Sequence, residues 1–166
     1  MSVIPLVHDG RSPTVTTVRE RFDIDGTRIL FVDLDETQLA DPKRSNATYD
    51  LRVGDTFWDH QDFAPRSLRQ GERIRLPAGR AIIVRTMEWV GLPKAAFGAI
   101  FPRVKLLQEG LSNTSSKVDP GYQGNLLITV FNLGRKTVHL AYGQPFCAVC
   151  FYLAVALYAL TLRGAH

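Results

Sequence analysis

An acidic residue and an aromatic residue lie three positions apart, in a turn that leads into a strand-like pattern. Asp119 and Tyr122 are separated by a proline and a glycine, a pair that strongly favours a chain reversal. An aspartate there can orient a water molecule or hold a sugar hydroxyl, and a tyrosine ring can cover the apolar face of a deoxyribose. Gly124 allows a ligand to approach the backbone closely. We therefore predict that Asp119 and Tyr122 flank one small nucleotide cavity, and the alternative is a hairpin with a solvated aspartate.

A second pattern that could carry chemistry lies nearer the N-terminus. An apolar strand from Ile29 is followed by Asp33, Asp35 and Thr37. This order is similar to the first motif of haloacid-dehalogenase-type phosphatases, in which the first aspartate takes up the phosphoryl group and Mg²⁺ lies between the acids. Such an enzyme needs a doubly wound parallel sheet, whereas the rest of this chain has the pattern of a β protein. We expect Asp33 and Asp35 to be solvated turn residues, with the phosphatase as the remote alternative.

The two cysteines of the chain, Cys147 and Cys150, have the C-x-x-C spacing of some zinc and redox sites. No second pair of ligands completes a metal site, and residues three apart on a strand point to opposite faces. We predict two buried thiols in the reducing environment of the cytoplasm.

Length and composition are those of one folded domain. The chain has 166 residues, of which 45% are hydrophobic and 22% charged, enough to form a core. The net charge of +4 favours anionic partners in general. The lysines and arginines are scattered instead of forming a tract, so we expect no nucleic-acid partner. We expect no secretory signal either, because Ser2 to Gly10 lack a basic leader followed by an apolar core.

The apolar run from Phe146 to Leu162 is shorter than the roughly 18 to 20 residues that a membrane-spanning helix needs. We predict that its first half is the last core strand and expect no membrane partner. Ala154 to Leu162 is too apolar to lie in water, and we expect it to form a short helix or an arm buried on a neighbouring subunit.

The elements that must position these residues are mostly short strands separated by Gly and Pro turns, the pattern of a barrel or sandwich. Strands are predicted at Ile29 to Leu34, Arg73 to Leu76 and Ala81 to Arg85. Leu126 to Phe131 and Thr137 to Ala141 are predicted to form a hairpin, because the asparagine and glycine between them tolerate turn geometry.

Five segments, taken in order along the chain, carry a resemblance to a known family. They are Asn46 to Gly54, Leu76 to Pro93, Pro102-Arg103, Asp119 to Asn132 and Tyr142 to Cys147. Together they resemble the motifs of the trimeric dUTPase and dCTP deaminase superfamily, with the first motif in its deaminase form. The resemblance implies an all-β, dUTPase-like β-clip or distorted barrel at residues 46–153, and a homotrimer whose sites are shared between subunits. Residues 1–45 would be an N-terminal extension packed on this domain, and residues 154–166 an apolar tail.

The resemblance also implies roles for individual residues around a pyrimidine deoxynucleoside triphosphate. Asp119 matches the catalytic aspartate that activates a water at the α-phosphate, and Asp50 matches the aspartate that helps to hold Mg²⁺. The nucleotide would be bound by Arg103 and Lys105 at the phosphates and by Tyr122, Gln123, Gly124 and Asn125 at the sugar and base.

Several positions depart from the pattern of the family. Thr129 stands where the deaminase branch has the glutamate that shuttles protons at the cytosine ring, and a threonine cannot do this near neutral pH. Val104 and Lys105 replace serines, Ala148 replaces a glutamine, and the glycine-rich fifth motif is absent from the sequence. Phosphate hydrolysis through Asp119 is therefore better supported than deamination. The alternatives are a nucleotide-binding or regulatory relative without catalysis, and an interaction module that reuses the fold.

Overall fold

The computed structural model describes residues 15–17, 29–40 and 47–153, and nearly all regular structure in this part of the chain is β. The expected all-β class is confirmed. The strands are β1 (Val15–Thr17), β2 (Ile29–Val32), β3 (Tyr49–Asp59), β4 (Pro65–Ser67), β5 (Arg73–Leu76), β6 (Ala81–Gly91), β7 (Ala96–Pro102), β8 (Leu111–Asn113), β9 (Ser116–Val118), β10 (Gln123–Asn132), β11 (Val138–Ala141) and β12 (Pro145–Leu153), and the helices are α1 (Thr37–Ala40) and α2 (Val104–Gln108).

Ten of these strands form one curled sheet. Seven of them follow one another in the order β1, β2, β6, β3, β12, β7, β9, and β4, β8 and β10 pair at its sides. Strand β10 pairs with β6 and β8, β4 pairs with β3, and β11 and β5 form a separate two-stranded sheet. Every pairing except that of β1 with β2 is antiparallel. The phosphatase alternative is wrong, because the described strands do not provide a doubly wound parallel sheet.

The core lies inside this curl and follows the two-residue period of the strands. On β10, Leu126, Ile128 and Val130 point inwards and are buried. Leu127 and Phe131 alternate with them on the outer face. The largest side chains with less than 2% exposure come from seven different strands, and all of them except Leu30 belong to one core cluster that joins the domain. They are Ile29, Leu30, Phe31, Tyr49, Leu51, Ile74, Leu76, Ile100, Leu111, Leu140 and Phe151.

Both cysteines lie on β12 and are buried, as predicted, at 0% and 4% exposure for Cys147 and Cys150. Burial, and then the carboxylates of Glu88 and Asp50, raise the pKa of the Cys147 thiol. This thiol is therefore protonated and packs as a small apolar group.

The pairing of β6 is irregular towards both β10 and β3. Thr86 to Glu88 of β6 bulge opposite the single residue Leu126 of β10, whereas Gly54 to Thr56 of β3 bulge opposite the single residue Arg85 of β6. A Cβ on Gly54 would come within 2.6 Å of the Arg85 carbonyl oxygen. The two strands can approach this closely only because residue 54 has no side chain.

We predict that Gly54→Ala destabilises the fold by about 2 kcal/mol, because the added methyl forces the backbones of β3 and β6 apart. Urea unfolding measures this loss. In Gly71→Ala the methyl meets nothing within 4 Å, so only the strain of its φ of +87° is expected, at about 1 kcal/mol. If Gly71→Ala lost as much free energy of unfolding as Gly54→Ala, or more, the close approach of β3 and β6 would be contradicted.

The hairpin predicted from Leu126 to Ala141 is wrong. Strand β8 occupies the edge of β10 where the returning strand would pair, and β11 pairs with β5 instead. The buried Asn132 side chain fixes this route. Its amide nitrogen donates to the carbonyl oxygens of Leu76 at 2.9 Å and Lys136 at 2.8 Å, and its oxygen accepts the Gly134 N–H at 3.0 Å.

Asp33 and Asp35 lie in the turn between β2 and α1. The Asp35 carboxylate accepts the N–H of Thr37 at 3.1 Å and its hydroxyl at 2.5 Å, so it caps α1. Asp33 is exposed and has a φ of 63°. Within the part of residues 1–45 that the structure describes, Ile29–Val32 joins the sheet beside β6.

The predicted tail at residues 154–166 lies outside the described residues, as does most of the predicted N-terminal extension. Among the residues that are described, no helix is long and apolar enough to cross a membrane.

Candidate functional site

The turn from Asp119 to Tyr122 joins β9 to β10, and hydrogen bonds hold it together with the first residues of β10. The Tyr122 N–H donates to the Asp119 carbonyl at 3.0 Å, and the Leu92 N–H donates to the Tyr122 carbonyl at 2.9 Å. The Tyr122 hydroxyl donates to the Asn125 carbonyl at 2.7 Å. A Cβ on Gly124 would lie 3.0 Å from that hydroxyl, so glycine lets the ring fold over the backbone. The turn therefore presents its aromatic ring in one fixed orientation.

The Asp119 carboxylate projects from this turn into solvent, with 63% of the side chain exposed. Val118 beside it is buried and anchors the end of β9 opposite Gly98 of β7. Lys117 approaches Asp119 with its Nζ atom 2.5 Å from Oδ1. Gln123 begins β10 and is exposed. The turn therefore carries an accessible carboxylate and a fixed ring three residues apart.

Asn125 was predicted to bind the nucleotide, but its side chain is used inside the protein. Its Oδ1 accepts Arg85 Nη2 at 2.8 Å. Its Nδ2 donates at 3.0 to 3.2 Å to the carbonyl oxygens of the three bulge residues, Thr86, Met87 and Glu88. The amide thus locks the start of β10 onto the bulge of β6. The side chain of Asn125 therefore serves to position the turn.

The other predicted site residues lie together beside α2. Arg103 precedes this helix, and its Nη2 lies 3.2 Å from Asp50 Oδ2 while its Nη1 donates to the Pro145 carbonyl at 3.0 Å. The structure thus pairs the predicted phosphate ligand with the predicted metal ligand. Lys105 on the first turn of α2 is exposed. Because the Asp50 and Arg103 side chains are 19% and 29% exposed, a polyphosphate could reach this pair from solvent.

The two groups of predicted residues lie at opposite ends of β7. Val118 pairs with Gly98 near the start of β7, so Asp119 continues beside that end. Arg103 follows the other end, about 20 Å away at roughly 3.3 Å per residue. Within one chain, Asp119 and Arg103 therefore cannot contact the same phosphate.

A polar cavity of about 160 Å³ lies at the bulge of β6. Of the predicted site residues only Asn125 is among those that line it, so this is not the cavity predicted between Asp119 and Tyr122. The lining residues are Val32, Asp33, Gly54, Asp55, Arg85, Thr86, Met87, Trp89, Asn125 and Tyr142.

A buried carboxylate supports the strand that carries Asp50, and no motif in the sequence revealed it. Glu88 is 0% exposed and accepts the Tyr49 hydroxyl at 3.0 Å, the Arg52 N–H at 3.0 Å and the Arg52 Nε at 2.7 Å. The Arg52 guanidinium also donates to the Asp33 carbonyl. The one available signal is an acid in the largely apolar segment that follows the strand predicted at Ala81 to Arg85. Because Tyr49 and Arg52 flank Asp50, Glu88 fixes the position of that residue.

We predict an alkaline loss of stability from this network. Burial, and then the Glu88 carboxylate, raise the pKa of the Tyr49 phenol well above its usual value of 10.0. In the unfolded chain the phenol ionises near pH 10, whereas the folded protein keeps it protonated. The free energy of unfolding therefore falls above about pH 10, by up to about 1.4 kcal/mol per pH unit. Urea unfolding between pH 9 and 11 should show a steeper fall for the wild type than for Tyr49→Phe, and equal slopes would contradict this role.

The described residues do not fit a magnesium site that is held by protein side chains alone. No three His, Cys, Asp or Glu side chains come together among them. The Asp50 carboxylate, matched to the metal position, faces the Arg103 guanidinium. Mg²⁺ usually keeps several waters and binds through one or two carboxylates together with substrate phosphates.

Comparison with known sequences gives one consistent family. A family model described as dCTP deaminase-like matches residues 25–154. The dCTP deaminase of Thermococcus kodakarensis is 32% identical over 105 residues, which are 63% of this chain and 66% of that protein. That of Thermococcus sibiricus is 35% identical over 106 residues, 64% of this chain and 67% of that protein. The match to the first of these relatives therefore spans just under two thirds of its length.

Solved structures agree on the fold. The 2′-deoxycytidine 5′-triphosphate deaminase from Agrobacterium tumefaciens aligns with a TM-score of 0.59 and 19% identity, over 72% of this chain and 40% of that one. A mutant dUTPase from phage phi11 of S. aureus aligns with a TM-score of 0.55 and 16% identity, over 75% of this chain and 90% of that one. The dUTPase-like fold expected from the sequence motifs is confirmed. The chain belongs to the dCTP deaminase-like family.

Proposed function

We propose that the protein binds a pyrimidine deoxynucleoside triphosphate at a site shared between two copies of the chain, and hydrolyses it between the α- and β-phosphates. The observation that carries this proposal is the preformed turn at Asp119. It carries an accessible carboxylate three residues before the fixed Tyr122 ring, which supplies an apolar face for a deoxyribose. The names of the relatives, dCTP deaminase and dUTPase, support a ligand of this class.

The proposed reaction needs one general base and an anion-binding surface. The Asp119 carboxylate takes a proton from a water molecule, whose oxygen bonds to the α-phosphorus. The bond between that phosphorus and the oxygen bridging to the β-phosphate breaks, and pyrophosphate leaves with the electron pair. Deoxynucleoside monophosphate and pyrophosphate are the products. General-base assistance of this kind contributes about 10² to 10⁴ in rate.

Hydrolysis is proposed in preference to deamination because of Thr129. Its side chain belongs to the outer face of β10 with Leu127 and Phe131, on the strand that follows the Asp119 turn. A hydroxyl neither accepts nor returns a proton near neutral pH, so this strand offers no proton shuttle at position 129 for a cytosine ring.

A shared site is proposed because of the separation along β7. If Asp119 of one copy and Arg103 of another act on one triphosphate, the distance of about 20 Å within a chain is no obstacle. Apolar side chains beside Arg103 support such a contact, since Phe101, Val104 and Leu107 are 41%, 69% and 44% exposed. We propose a homotrimer, in which each copy supplies one half of two different sites.

Subunit mixing tests the shared site. Asp119→Asn and Arg103→Gln chains are each expected to be inactive in pyrophosphate release from dUTP. When the two are unfolded, mixed in equal amounts and refolded, about one quarter of the sites should combine an intact Asp119 with an intact Arg103. Recovery of activity towards that fraction is the expected result. If the wild type is active but the mixed variants regain no activity after refolding, each chain must carry its own site.

The second candidate function is nucleotide binding without catalysis, as in a sensor or regulator. It is favoured by the pairing of Arg103 with Asp50, which neutralises two groups expected to serve the phosphates and the metal. It is also favoured by Val104, an exposed apolar residue where the family has a serine. Isothermal titration that shows dUTP or dCTP binding, with no pyrophosphate or ammonia released on long incubation, would support this candidate over hydrolysis.

A further inference from the structure

The carboxylate that we assign as general base has a cationic partner on β9, the strand that precedes the turn. Lys117 and Asp119 are two residues apart on an extended segment, so their side chains project from the same face while Val118 between them is buried. The Lys117 Nζ atom lies 2.5 Å from Asp119 Oδ1. No motif of the sequence singled out this lysine.

A second lysine lies beside the same turn. The Lys94 Cγ atom would lie 3.8 Å from a Cβ placed on Gly121, which puts its aliphatic stem against the turn. Lys94 is exposed and can extend its ammonium group along the surface. The turn thus has two lysines beside it, an arrangement that attracts a polyanion more than a neutral nucleoside.

The contact between Lys117 and Asp119 is easily exchanged. The two side chains are 75% and 63% exposed, and an ion pair in this setting is weak because water screens both charges. A hydrogen bond from an ammonium to a phosphate oxygen is charge-assisted, and a triphosphate offers several such oxygens where Asp119 offers one carboxylate. A bound polyphosphate therefore competes effectively for this lysine.

We propose that Lys117 exchanges Asp119 for the polyphosphate of the substrate, and so acts as a positioning residue that frees the general base only when phosphates are present. This inference rests on the proposed function, since it assigns the substrate's phosphates to the Asp119 turn. In the free protein Lys117 holds the carboxylate. In the complex it binds phosphate, and the carboxylate becomes available to a water molecule. The arrangement selects polyphosphates over nucleosides.

Binding measurements with three ligands test the exchange. We compare wild type, Lys117→Met, Lys117→Arg and a control, Lys136→Met, by isothermal titration with dUTP, deoxyuridine and inorganic tripolyphosphate. Lys136 lies in the loop beyond the far end of β10, about 30 Å along that strand from the turn. Lys117→Met should lower the affinity for dUTP and for tripolyphosphate about tenfold, and should leave the affinity for deoxyuridine within twofold of wild type. Lys117→Arg and Lys136→Met should stay close to wild type.

Salt dependence and kinetics separate this role from a purely structural one. The affinity of Lys117→Met for dUTP should fall less steeply with salt concentration than that of the wild type, because one phosphate contact is lost. The fall in kcat/KM of Lys117→Met should also come mainly from a higher KM. The proposal would be overturned if Lys117→Met lost equal affinity for deoxyuridine and for dUTP, or if its affinity for dUTP were unchanged. If wild type binds tripolyphosphate through Lys117 but no deoxynucleotide, the proposed function fails while the anion site remains.

Discussion

Asp119→Asn is expected to lower the rate of pyrophosphate release from dUTP by at least about 100-fold, the loss that follows removal of a general base. The amide has nearly the shape of the carboxylate, so the turn and the Tyr122 hydrogen bond should persist. It cannot accept a proton from the attacking water. We therefore expect the dissociation constant for dUTP to stay within about threefold of wild type while kcat collapses.

The matched control is Glu36→Gln, which removes one carboxylate from an exposed turn before α1 and should leave kcat unchanged. Pre-steady-state measurement of one turnover with excess enzyme gives the chemical step without product release. An Asp119→Asn variant that keeps the wild-type single-turnover rate would show that another group activates the water.

The largest stability effect is expected for Glu88→Gln, with a loss of about 3 to 5 kcal/mol in the free energy of unfolding. Its carboxylate is 0% exposed and neutralises the Arg52 guanidinium at 2.7 Å. The neutral amide leaves the mostly buried Arg52 charge without its main anionic partner. The pair spans β3 and β6, so the loss should also loosen Asp50 and weaken dUTP binding.

A double variant distinguishes the unpaired charge from a simple packing defect. Replacing both partners, Glu88→Leu with Arg52→Leu, removes both charges and should recover part of the stability lost in Glu88→Gln. Urea unfolding of the three proteins measures the difference. A loss below about 1 kcal/mol in Glu88→Gln would mean that the carboxylate contributes no more than a surface ion pair.

The strands were predictable where alternation and burial agree. Arg73 to Leu76 has the bounds expected from its alternating sequence, because two of its side chains enter the core and two lie in solvent. The pairing of β10 and β11 was not predictable in this way. A two-residue period reveals which residues point inwards but not which strand lies alongside, and here the side chain of Asn132 and the short strand β8 decide the partner.

The candidate site shows the same division between local and long-range information. The turn at Asp119 was predictable because proline and glycine restrict the backbone within a few residues. The contacts of Asn125, Arg103 and Glu88 join strands that are far apart in the sequence, so no local pattern indicates them. Motif matching placed Asn125 at the ligand, whereas the structure gives its side chain a positioning role at the bulge.

The most direct test of the central claim is to incubate the wild-type protein with dUTP and with dCTP, each with and without Mg²⁺, and to quantify pyrophosphate and ammonia separately. We predict pyrophosphate from dUTP that disappears in Asp119→Asn, and no ammonia from dCTP. Release of ammonia from dCTP would contradict the account, because it would require a proton shuttle that position 129 does not supply.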